Sequence, residues 1–327
     1  MNSAFQWIEK SWYRKSFLLY FLWPFSLIYR IVIELRKSAY RVGILRSFDV
    51  GVPVVVVGNL TVGGTGKTPL VAELVRLLSR EGYSPGIVSR GYKAQIPKHP
   101  YLLVGKESPA LVGDEPLLLY EKTNRPVMID PNRVRACREL VDKCEVDIVV
   151  SDDGLQHLRM ERSVEIVVVD GCRRFGNDQL LPAGPLREHQ KCLVTSDFIV
   201  TNGGNARSGE YQMRTSIKYA VRLVDGERRD LSCFSSQKIH VVTGIGNSES
   251  FFSELEAVGI QFFRRCFPDH HSYRPSDLRG LTSQKVLMTS KDAVKCRQFS
   301  GPDWWVVPQE VEIDNAFKND FLTAIKQ

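Results

Sequence analysis

The sequence lacks the cysteine patterns of zinc-binding and disulfide-linked proteins. Its seven cysteines include no C-x-x-C pair, and their number is odd. A disulfide framework or a zinc site is therefore not expected, and a reducing cytoplasm is the natural compartment. No internal repeat or low-complexity tract divides the 327 residues, a length that suits one large domain or two ordinary ones.

The N-terminal segment lacks the features of a cleaved leader and of a membrane span. Residues 16–29 carry no charge, but a span needs about 20 apolar residues, and this shorter run contains Pro24. No A-x-A-like cleavage site follows the run, although a secretory signal peptide would end in one. The interpretations that remain are a helix at a membrane surface, a helix packed on the protein's own core and, less suited to the length, a span.

The residues around this run favour the membrane surface. Eight lysines and arginines lie between residues 10 and 46, against three acidic residues between 9 and 49. Basic residues bind anionic lipid, and tryptophan and tyrosine prefer the depth of the lipid headgroups. Six such aromatic residues lie between residues 7 and 29: Trp7, Trp12, Tyr13, Tyr20, Trp23 and Tyr29. We therefore predict that residues 1–50 form a membrane-associated, amphipathic helical segment.

Residues 51–69, GVPVVVVGNLTVGGTGKTP, have the pattern of a phosphate-binding loop. A β-branched run predicts a strand, a helical pattern follows, and the glycines between them let backbone N–H groups turn towards phosphate oxygens. Lys67 can bridge the β- and γ-phosphates, and Thr68 can hold Mg²⁺. The predicted nucleotide-binding residues are Thr61, Gly63, Gly64, Thr65, Gly66, Lys67 and Thr68. Thr61 stands where the standard loop has its first glycine, and the alternative is a glycine-rich turn that binds nothing.

A second part of the nucleotide site is expected at the end of another strand. Residues 146–150 are mostly β-branched and lead into Ser151-Asp152-Asp153-Gly154. The carboxyl ends of parallel strands share one edge of a sheet, so we expect at least one of the two aspartates to hold Mg²⁺ or a water molecule. The alternative is that Asp152 and Asp153 only form a polar turn with Gly154.

Apolar strands separated by helical patterns predict an α/β fold with a parallel sheet covered on both faces. We assign residues 51–210 to this P-loop domain. Two extended runs follow, Tyr211–Ile217 and Tyr219–Val224, and we interpret residues 211–230 as a β-hairpin linker. Residues 231–327 predict a second, smaller α/β domain, whose terminal helix could pack back on the first.

Two polar sites outside the loop have competing explanations. Asp114, in Gly113-Asp114-Glu115-Pro116, stands where the N-cap of the next helix is expected. His270 and His271 follow a predicted strand, where they could bind a metal, act as a general base or cap a turn. The residues alone leave these alternatives open.

Seven motifs, spread in order over nearly the whole chain, resemble the tetraacyldisaccharide 4'-kinase family, the lipid A 4'-kinases. They are GNLTVGGTGKTP at 58–69, SRGYK at 89–93, GDEP at 113–116, SDDGLQH at 151–157, LPAGPLRE at 181–188, FPDHHSY at 267–273 and TSKDAVK at 289–295. No single motif is decisive, but the set is very specific, and this family's loop also has threonine at the position of Thr61.

The resemblance implies an enzyme that transfers the γ-phosphate of ATP, with Mg²⁺, to the 4'-hydroxyl of a tetraacyldisaccharide 1-phosphate. The product would be the 1,4'-bisphosphate precursor of lipid A. The resemblance also implies two α/β/α domains joined by a two-stranded β linker, with ATP between them. It places the enzyme on the cytoplasmic face of the bacterial inner membrane, held peripherally or monotopically through the N-terminal segment.

The resemblance also assigns roles to single residues. Asp114 matches the proposed catalytic base, and His270, which follows Phe-Pro-Asp directly, matches the histidine that assists it. Asp152 and Asp153 match the acidic pair at the strand end, and Glu188 matches a carboxylate near Mg²⁺. With the base placed on the first domain and the histidine on the second, we expect domain closure to bring them together.

Two other functions compete with this one. A P-loop GTPase or ATPase switch would act by binding a partner, but the guanine motif Asn-Lys-x-Asp is missing, and the nearest stretch, residues 289–292, has the wrong spacing. A nucleic-acid-binding protein would use the net charge of +7, but cations around an apolar, aromatic run suit lipid headgroups better. We expect no nucleic acid and infer no obligate protein partner.

Overall fold

The computed structural model describes residues 11–13, 17–246 and 248–326, so the predictions that concern Trp7 and the cations Lys10, Arg14 and Lys15 lie outside the described residues. The contacts of the chain divide it into two compact units. The first unit comprises residues 1–90, 125–214 and 313–327, and the second comprises residues 91–124 and 215–312. The predicted P-loop domain differs in one part, because residues 91–124 group with the second unit.

The elements follow the predicted alternation of strands and helices. The α-helices of the described residues are α1 Leu18–Arg41, α2 Lys67–Arg80, α3 Pro109–Val112, α4 Asp114–Thr123, α5 Arg133–Cys144, α6 Ser248–Ala257, α7 Ser290–Cys296 and α8 Asn315–Ile325. The strands are β1 Val54–Gly58, β2 Pro85–Ser89, β3 Tyr101–Leu102, β4 Val127–Ile129, β5 Ile148–Asp152, β6 Val164–Asp170, β7 Phe198–Asn202, β8 Tyr211–Ile217, β9 Tyr219–Arg222, β10 Arg228–Asp230, β11 Ile239–Thr243, β12 Phe262–Cys266, β13 Val286–Thr289, β14 Trp304–Val307 and β15 Gln309–Ile313.

The sheet of the first unit confirms the predicted α/β class. Seven of its strands lie in the order β8-β7-β6-β1-β5-β2-β4, and their ladders are parallel. All five residues of β1 and of β5 are buried, as expected for strands covered on both faces. Val57 pairs with Asp152, so the loop after β1 and the aspartates after β5 leave the sheet at the same edge.

The sheet of the second unit has the order β10-β9-β14-β13-β11-β12. Strands β14, β13, β11 and β12 form parallel ladders, and β9 and β10 add antiparallel ones. Phe251, Phe252 and Leu255 of α6 pack with Trp305 of β14 in one of its cores. The second, smaller α/β unit of the prediction is therefore present.

The predicted hairpin between residues 211–217 and 219–224 is wrong. Strand β8 belongs to the larger sheet, whereas β9 belongs to the smaller sheet and pairs with β10 and β14. Only Lys218 separates β8 from β9, and a hairpin connection needs about two residues or more. The hairpin of this region instead joins β9 to β10. The chain passes between the units within the neighbouring strands β8 and β15, and also at residues 90–91 and 124–125.

Helix α1 has one packed face and one exposed apolar face. On the packed face, Ser26 Oγ donates to the carbonyl of Leu180 at 2.9 Å, and Tyr29 Oη donates to the carbonyl of Arg187 at 3.1 Å. On the other face, Phe21 is 77% exposed and Leu35 is 66% exposed. Among the described residues, no helix is long and apolar enough to cross a membrane.

Candidate active site

The loop after β1 is held by the LPAGPLRE segment. Thr61 is buried and forms a β-bridge with Leu186. Val62 N donates to the carbonyl of Pro185 at 2.8 Å, and Arg187 N donates to the carbonyl of Leu60 at 2.6 Å. Sequence reasoning missed this pairing, which explains why a β-former such as threonine suits position 61.

Gly66 is the residue at which the loop turns into helix α2. Its φ of +92° lies in the left-handed region that favours glycine, and a Cβ there would lie 2.3 Å from Asn202 Nδ2. That amide donates to the carbonyl of Thr65 at 3.2 Å. Gly64 differs, because a Cβ built on it would meet nothing within 4 Å. Gly66 is therefore needed for the backbone conformation of the loop, whereas Gly64 faces open space.

We expect Gly66→Ala to lower the free energy of unfolding by about 1–3 kcal/mol, because it combines left-handed strain with a clash. Gly64→Ala is the matched control and should change it by less than about 0.5 kcal/mol. Urea unfolding of the nucleotide-free chain measures both. Equal destabilisation by the two variants would contradict the distinct role of Gly66.

Lys67 is held at the edge of the sheet before any nucleotide binds. Its Nζ donates to Asn59 Oδ1 at 2.9 Å and lies 3.4 Å from Asp153 Oδ1. Asn59 is fully buried, and its Nδ2 donates to the carbonyl of Thr61 at 2.8 Å. Sequence reasoning did not single out Asn59, and its only signal was a polar residue directly after a buried strand.

The two aspartates at the end of β5, Asp152 and Asp153, have different surroundings. Arg133, itself buried, donates from Nη2 to the carbonyl of Asp152 at 3.0 Å. Asp153 adopts a φ of +50°, and its oxygens accept from Arg187 Nη1 at 3.2 and 3.0 Å. Burial opposes ionisation of Asp153, but the charges of Lys67 and Arg187 outweigh it and lower its pKa to about 2. Asp153 thus forms the turn and also presents an ionised carboxylate beside Lys67.

Glu188 contacts Lys37, Gln156 and Cys192 rather than the other residues predicted to hold the metal. Its carboxylate pairs with Lys37 of helix α1 and accepts from Gln156 Nε2 at 2.8 Å. Cys192 Sγ lies 3.5 Å from Glu188 Oε2. Burial raises the pKa of Glu188, but the contact with Lys37 outweighs it, and the net shift is downward. Gln156, whose role the sequence left open, therefore contacts this carboxylate.

The site can accept the groups that the sequence predicts for it. The hydroxyl of Thr65 is buried without a hydrogen-bond partner in the described part of the chain, next to the open space at Gly64. No three His, Cys, Asp or Glu side chains within residues 11–13, 17–246 and 248–326 are grouped so as to hold a metal ion. Mg²⁺ that is bound with a nucleotide takes one or two protein carboxylates and completes its shell with phosphates and water.

The second unit brings Asp114 and His270 into contact. Asp114 is the first residue of α4 after the N-cap Gly113, its Oδ1 accepts from the N–H of Glu115 at 3.1 Å, and it is buried. His270 Nδ1 lies 3.1 Å from Asp114 Oδ1 and 3.0 Å from Oδ2. Because both residues lie in one unit, the expectation that domain closure joins them is wrong. The N-cap explanation of Asp114 is also wrong, because Gly113 occupies the N-cap position and Asp114 is the first helical residue.

The charges around Asp114 keep it ionised. Burial raises its pKa, but the hydrogen bond with His270 and the charges of Lys291 and Lys295 outweigh burial and lower the pKa to about 2. Lys295 Nζ lies 3.9 Å from Asp114 Oδ2. Sequence reasoning quoted both lysines in the TSKDAVK motif but gave neither a role beside Asp114.

The second histidine of the pair has a structural environment. His271 Nε2 lies 3.0 Å from Asp277 Oδ2, and its ring stacks on Phe267 with the centroids 4.7 Å apart. The two neighbouring imidazoles therefore contact different carboxylates, which argues against a metal-binding pair.

The chain matches one family over nearly its whole length. A family model described as tetraacyldisaccharide-1-P 4'-kinase matches residues 18–326. A tetraacyldisaccharide 4'-kinase from Methylobacillus flagellatus is 44% identical over 329 residues, which cover 99% of this chain and 98% of that protein. Another with that name, from Legionella pneumophila, is 45% identical over 314 residues and 96% of each chain.

A solved structure is also similar. It is a crystal structure of LpxK from Aquifex aeolicus, described as an "apo" form in complex with ATP. It superposes with a TM-score of 0.80 at 26% identity and covers 94% of this chain and 99% of that chain.

Proposed function

Because the chain belongs to the tetraacyldisaccharide-1-P 4'-kinase family, we propose that it transfers the γ-phosphate of ATP to the 4'-hydroxyl of a tetraacyldisaccharide 1-phosphate. The product is the 1,4'-bisphosphate, a lipid A precursor, and the other product is ADP. The observation that carries the proposal is the near-full-length match to relatives named for this reaction.

The first unit supplies the nucleotide half of the reaction. We assign the backbone from Gly63 to Gly66 to the phosphate oxygens and Lys67 to the β- and γ-phosphates. Thr68, Asp152 and Asp153 would hold Mg²⁺, which neutralises charge on the phosphates when bound. The predicted metal role of Glu188 stays a prediction and requires Glu188 to exchange Lys37 for the metal.

The second unit supplies the base. A sugar hydroxyl is a weak nucleophile until its proton is accepted. We assign that proton to the carboxylate of Asp114, while the hydroxyl oxygen forms a bond to the γ-phosphorus and the bond from that phosphorus to the β–γ bridging oxygen breaks. His270 orients the carboxylate through Nδ1. A base with a lowered pKa accepts the proton late, when bond formation has made the hydroxyl more acidic.

We also propose that the exposed face of α1 lies on an anionic membrane surface, from which the lipid substrate reaches the site. Monomeric soluble proteins rarely expose a large contiguous apolar patch. Here Phe17 is 87% exposed, and the face continues through Phe21, Ile28 and Val32 to Leu35. Arg30 and Arg41 of the same helix carry the charge that anionic headgroups attract. Because ATP is cytoplasmic, we place the enzyme on the cytoplasmic face of the inner membrane.

Substituting Phe21, Ile28 and Val32 together with aspartate should lower binding to phosphatidylglycerol-containing vesicles by at least about 100-fold, because burial of each large apolar side chain contributes about 1.5–3 kcal/mol. Vesicle co-sedimentation measures the partition. Val224→Asp, at another exposed apolar residue, is the matched control and should bind like the unmodified chain. Unchanged binding of the triple variant would contradict the assignment of this face.

A single assay separates the kinase from a nucleotide-dependent switch. A kinase releases ADP in proportion to acceptor consumed, whereas a switch hydrolyses ATP slowly and responds to a protein partner. ADP release should therefore depend on the tetraacyldisaccharide 1-phosphate, and release that ignores it would favour the switch. Asp292 lies in the stretch nearest to a guanine motif. It is fully buried and accepts from Tyr273 Oη at 2.9 Å, so it is not available to bind a guanine ring.

A further inference from the structure

Helix α7 directs two lysines towards the Asp114–His270 pair. Lys291 and Lys295 lie four residues apart, so they share one face of the helix. Lys291 Nζ lies 3.4 Å from His270 Nε2 and donates to Glu115 Oε1 at 3.0 Å. Nδ1 of His270 thus faces the carboxylate of Asp114, and Nε2 faces the ammonium, with the carboxylate of Asp269 farther away at 3.7 Å from Nε2.

The protonation of His270 follows from the chemistry of these neighbours. An ammonium group has only donors, and a carboxylate has only acceptors. The pKa of Lys291 is raised, because Glu115, Asp114 and Asp269 outweigh the opposing effect of burial, so Lys291 is charged at neutral pH. A hydrogen on Nε2 would point at this ammonium, whereas a lone pair there accepts from it. The nearer ammonium therefore favours a lone pair on Nε2, and the carboxylate of Asp114 favours a hydrogen on Nδ1.

We propose that Lys291 is a positioning residue that keeps Nε2 of His270 unprotonated and so leaves Asp114 as the member of the pair that accepts the substrate proton. With the Nε2 lone pair occupied by Lys291 and Nδ1 already protonated, His270 has no free site for a proton. Asp114 is then the base and His270 its donor. This role rests on the proposed kinase function, although the tautomer itself does not depend on turnover.

A second ion pair of the same unit is the control for a purely structural role of Lys291. Arg297 donates from Nη1 to Glu121 Oε1 at 2.8 Å. Arg297 lies six residues after Lys291, and Glu121 lies six residues after Glu115, the partner of Lys291. The two ion pairs thus join the same two segments of the second unit. If Lys291 only held α7 against α4, removing either cation would have similar effects. Only Lys291 also contacts His270.

The experiment is ¹⁵N NMR of the full-length chain labelled at histidine, with His270→Gln used to assign the His270 signals. The unmodified chain should show a protonated Nδ1 and an unprotonated Nε2. Lys291→Met should raise the fraction of His270 protonated at Nε2 at least about fivefold, because the ammonium is gone and the carboxylate of Asp269 remains near that nitrogen. Arg297→Met should keep the original pattern, and Lys291→Arg, which retains a cationic donor, should largely restore it. Circular dichroism and thermal melting establish that each variant is folded.

Turnover supplies the second readout. Lys291→Met should lower kcat about 10- to 100-fold with the KM for ATP changed less than about twofold, and Arg297→Met should change kcat less than about twofold. An unaltered ¹⁵N pattern in folded Lys291→Met would overturn the proposal and leave Lys291 as a structural ion pair. If protonation of His270 Nε2 rises in Lys291→Met but Asp114 proves dispensable for turnover, the role of Lys291 towards His270 stands and the assignment of the base fails.

Discussion

Asp114→Asn should lower kcat about 10²- to 10⁴-fold, the range that a positioned general base contributes. The amide retains the size of the side chain and an oxygen for the N–H of Glu115, which donates to Asp114 Oδ1 at 3.1 Å in the unmodified chain. What the amide loses is the ability to accept a proton from the hydroxyl. The dissociation constant for ATP should stay within about threefold, because the phosphate loop belongs to the other unit.

Glu121→Gln is the matched control for this experiment. It also neutralises a carboxylate of helix α4 that forms an ion pair, with Arg297, but it does not contact His270. The control should keep kcat within about twofold. Steady-state kinetics with saturating ATP and a fluorescent-nucleotide binding assay measure the two quantities. Near-normal turnover of folded Asp114→Asn would remove Asp114 from the role of base.

Lys67→Met should lower both ATP binding and turnover, in contrast to the change at Asp114. A charge-assisted hydrogen bond contributes about 1.5–3 kcal/mol, so the affinity for ATP should fall about 10- to 100-fold. The ammonium also stabilises charge that develops on the transferred group, so kcat/KM should fall by a further factor of about 10² to 10³. Methionine preserves the aliphatic length of the side chain, which keeps the packing at the end of β1.

Lys143→Met serves as the control for charge removal in the same unit. Lys143 lies on the surface of α5 and pairs with Glu139, and its loss should leave binding and turnover within about twofold. Isothermal titration with ATP and steady-state kinetics distinguish the variants. ATP affinity of Lys67→Met equal to that of Lys143→Met would mean that the loop does not hold the phosphates through this lysine.

The local elements of the fold could be predicted because their signals are short-range. The β-branched run of β1, the glycine turn and the period of α2 lie within residues 54–80, and the structure places them in that order. The same holds for β5 and the two aspartates. These patterns depend on side-chain size and backbone freedom, which a sequence displays directly.

Long-range pairing could not be predicted from the same patterns. The two extended runs on either side of Lys218 favour strands, but nothing in them says that they enter different sheets. The grouping of residues 91–124 with 215–312 depends on contacts such as that between Asp114 and His270, which are 156 residues apart in the chain. Residue roles at such contacts came from the family resemblance.

Several functional neighbours lacked a distinctive local signal. Asn59 follows a buried strand, and Lys291 lies in a short charged stretch that resembles a solvated helix surface. Their importance comes from the atoms that surround them, Lys67 Nζ in one case and His270 Nε2 in the other. Glu188 shows the converse, because a predicted metal carboxylate lies in an ion pair with helix α1.

The most direct test of the proposed reaction is to locate the phosphate that the full-length chain adds. The protein is incubated with ATP, Mg²⁺ and tetraacyldisaccharide 1-phosphate in detergent micelles, and the lipid is analysed by mass spectrometry and ³¹P NMR. We expect one additional phosphate monoester, on the 4'-oxygen, formed in equal amount with ADP. Folded, ATP-binding protein that yields no phosphorylated lipid, or that phosphorylates another hydroxyl, would contradict the proposed function.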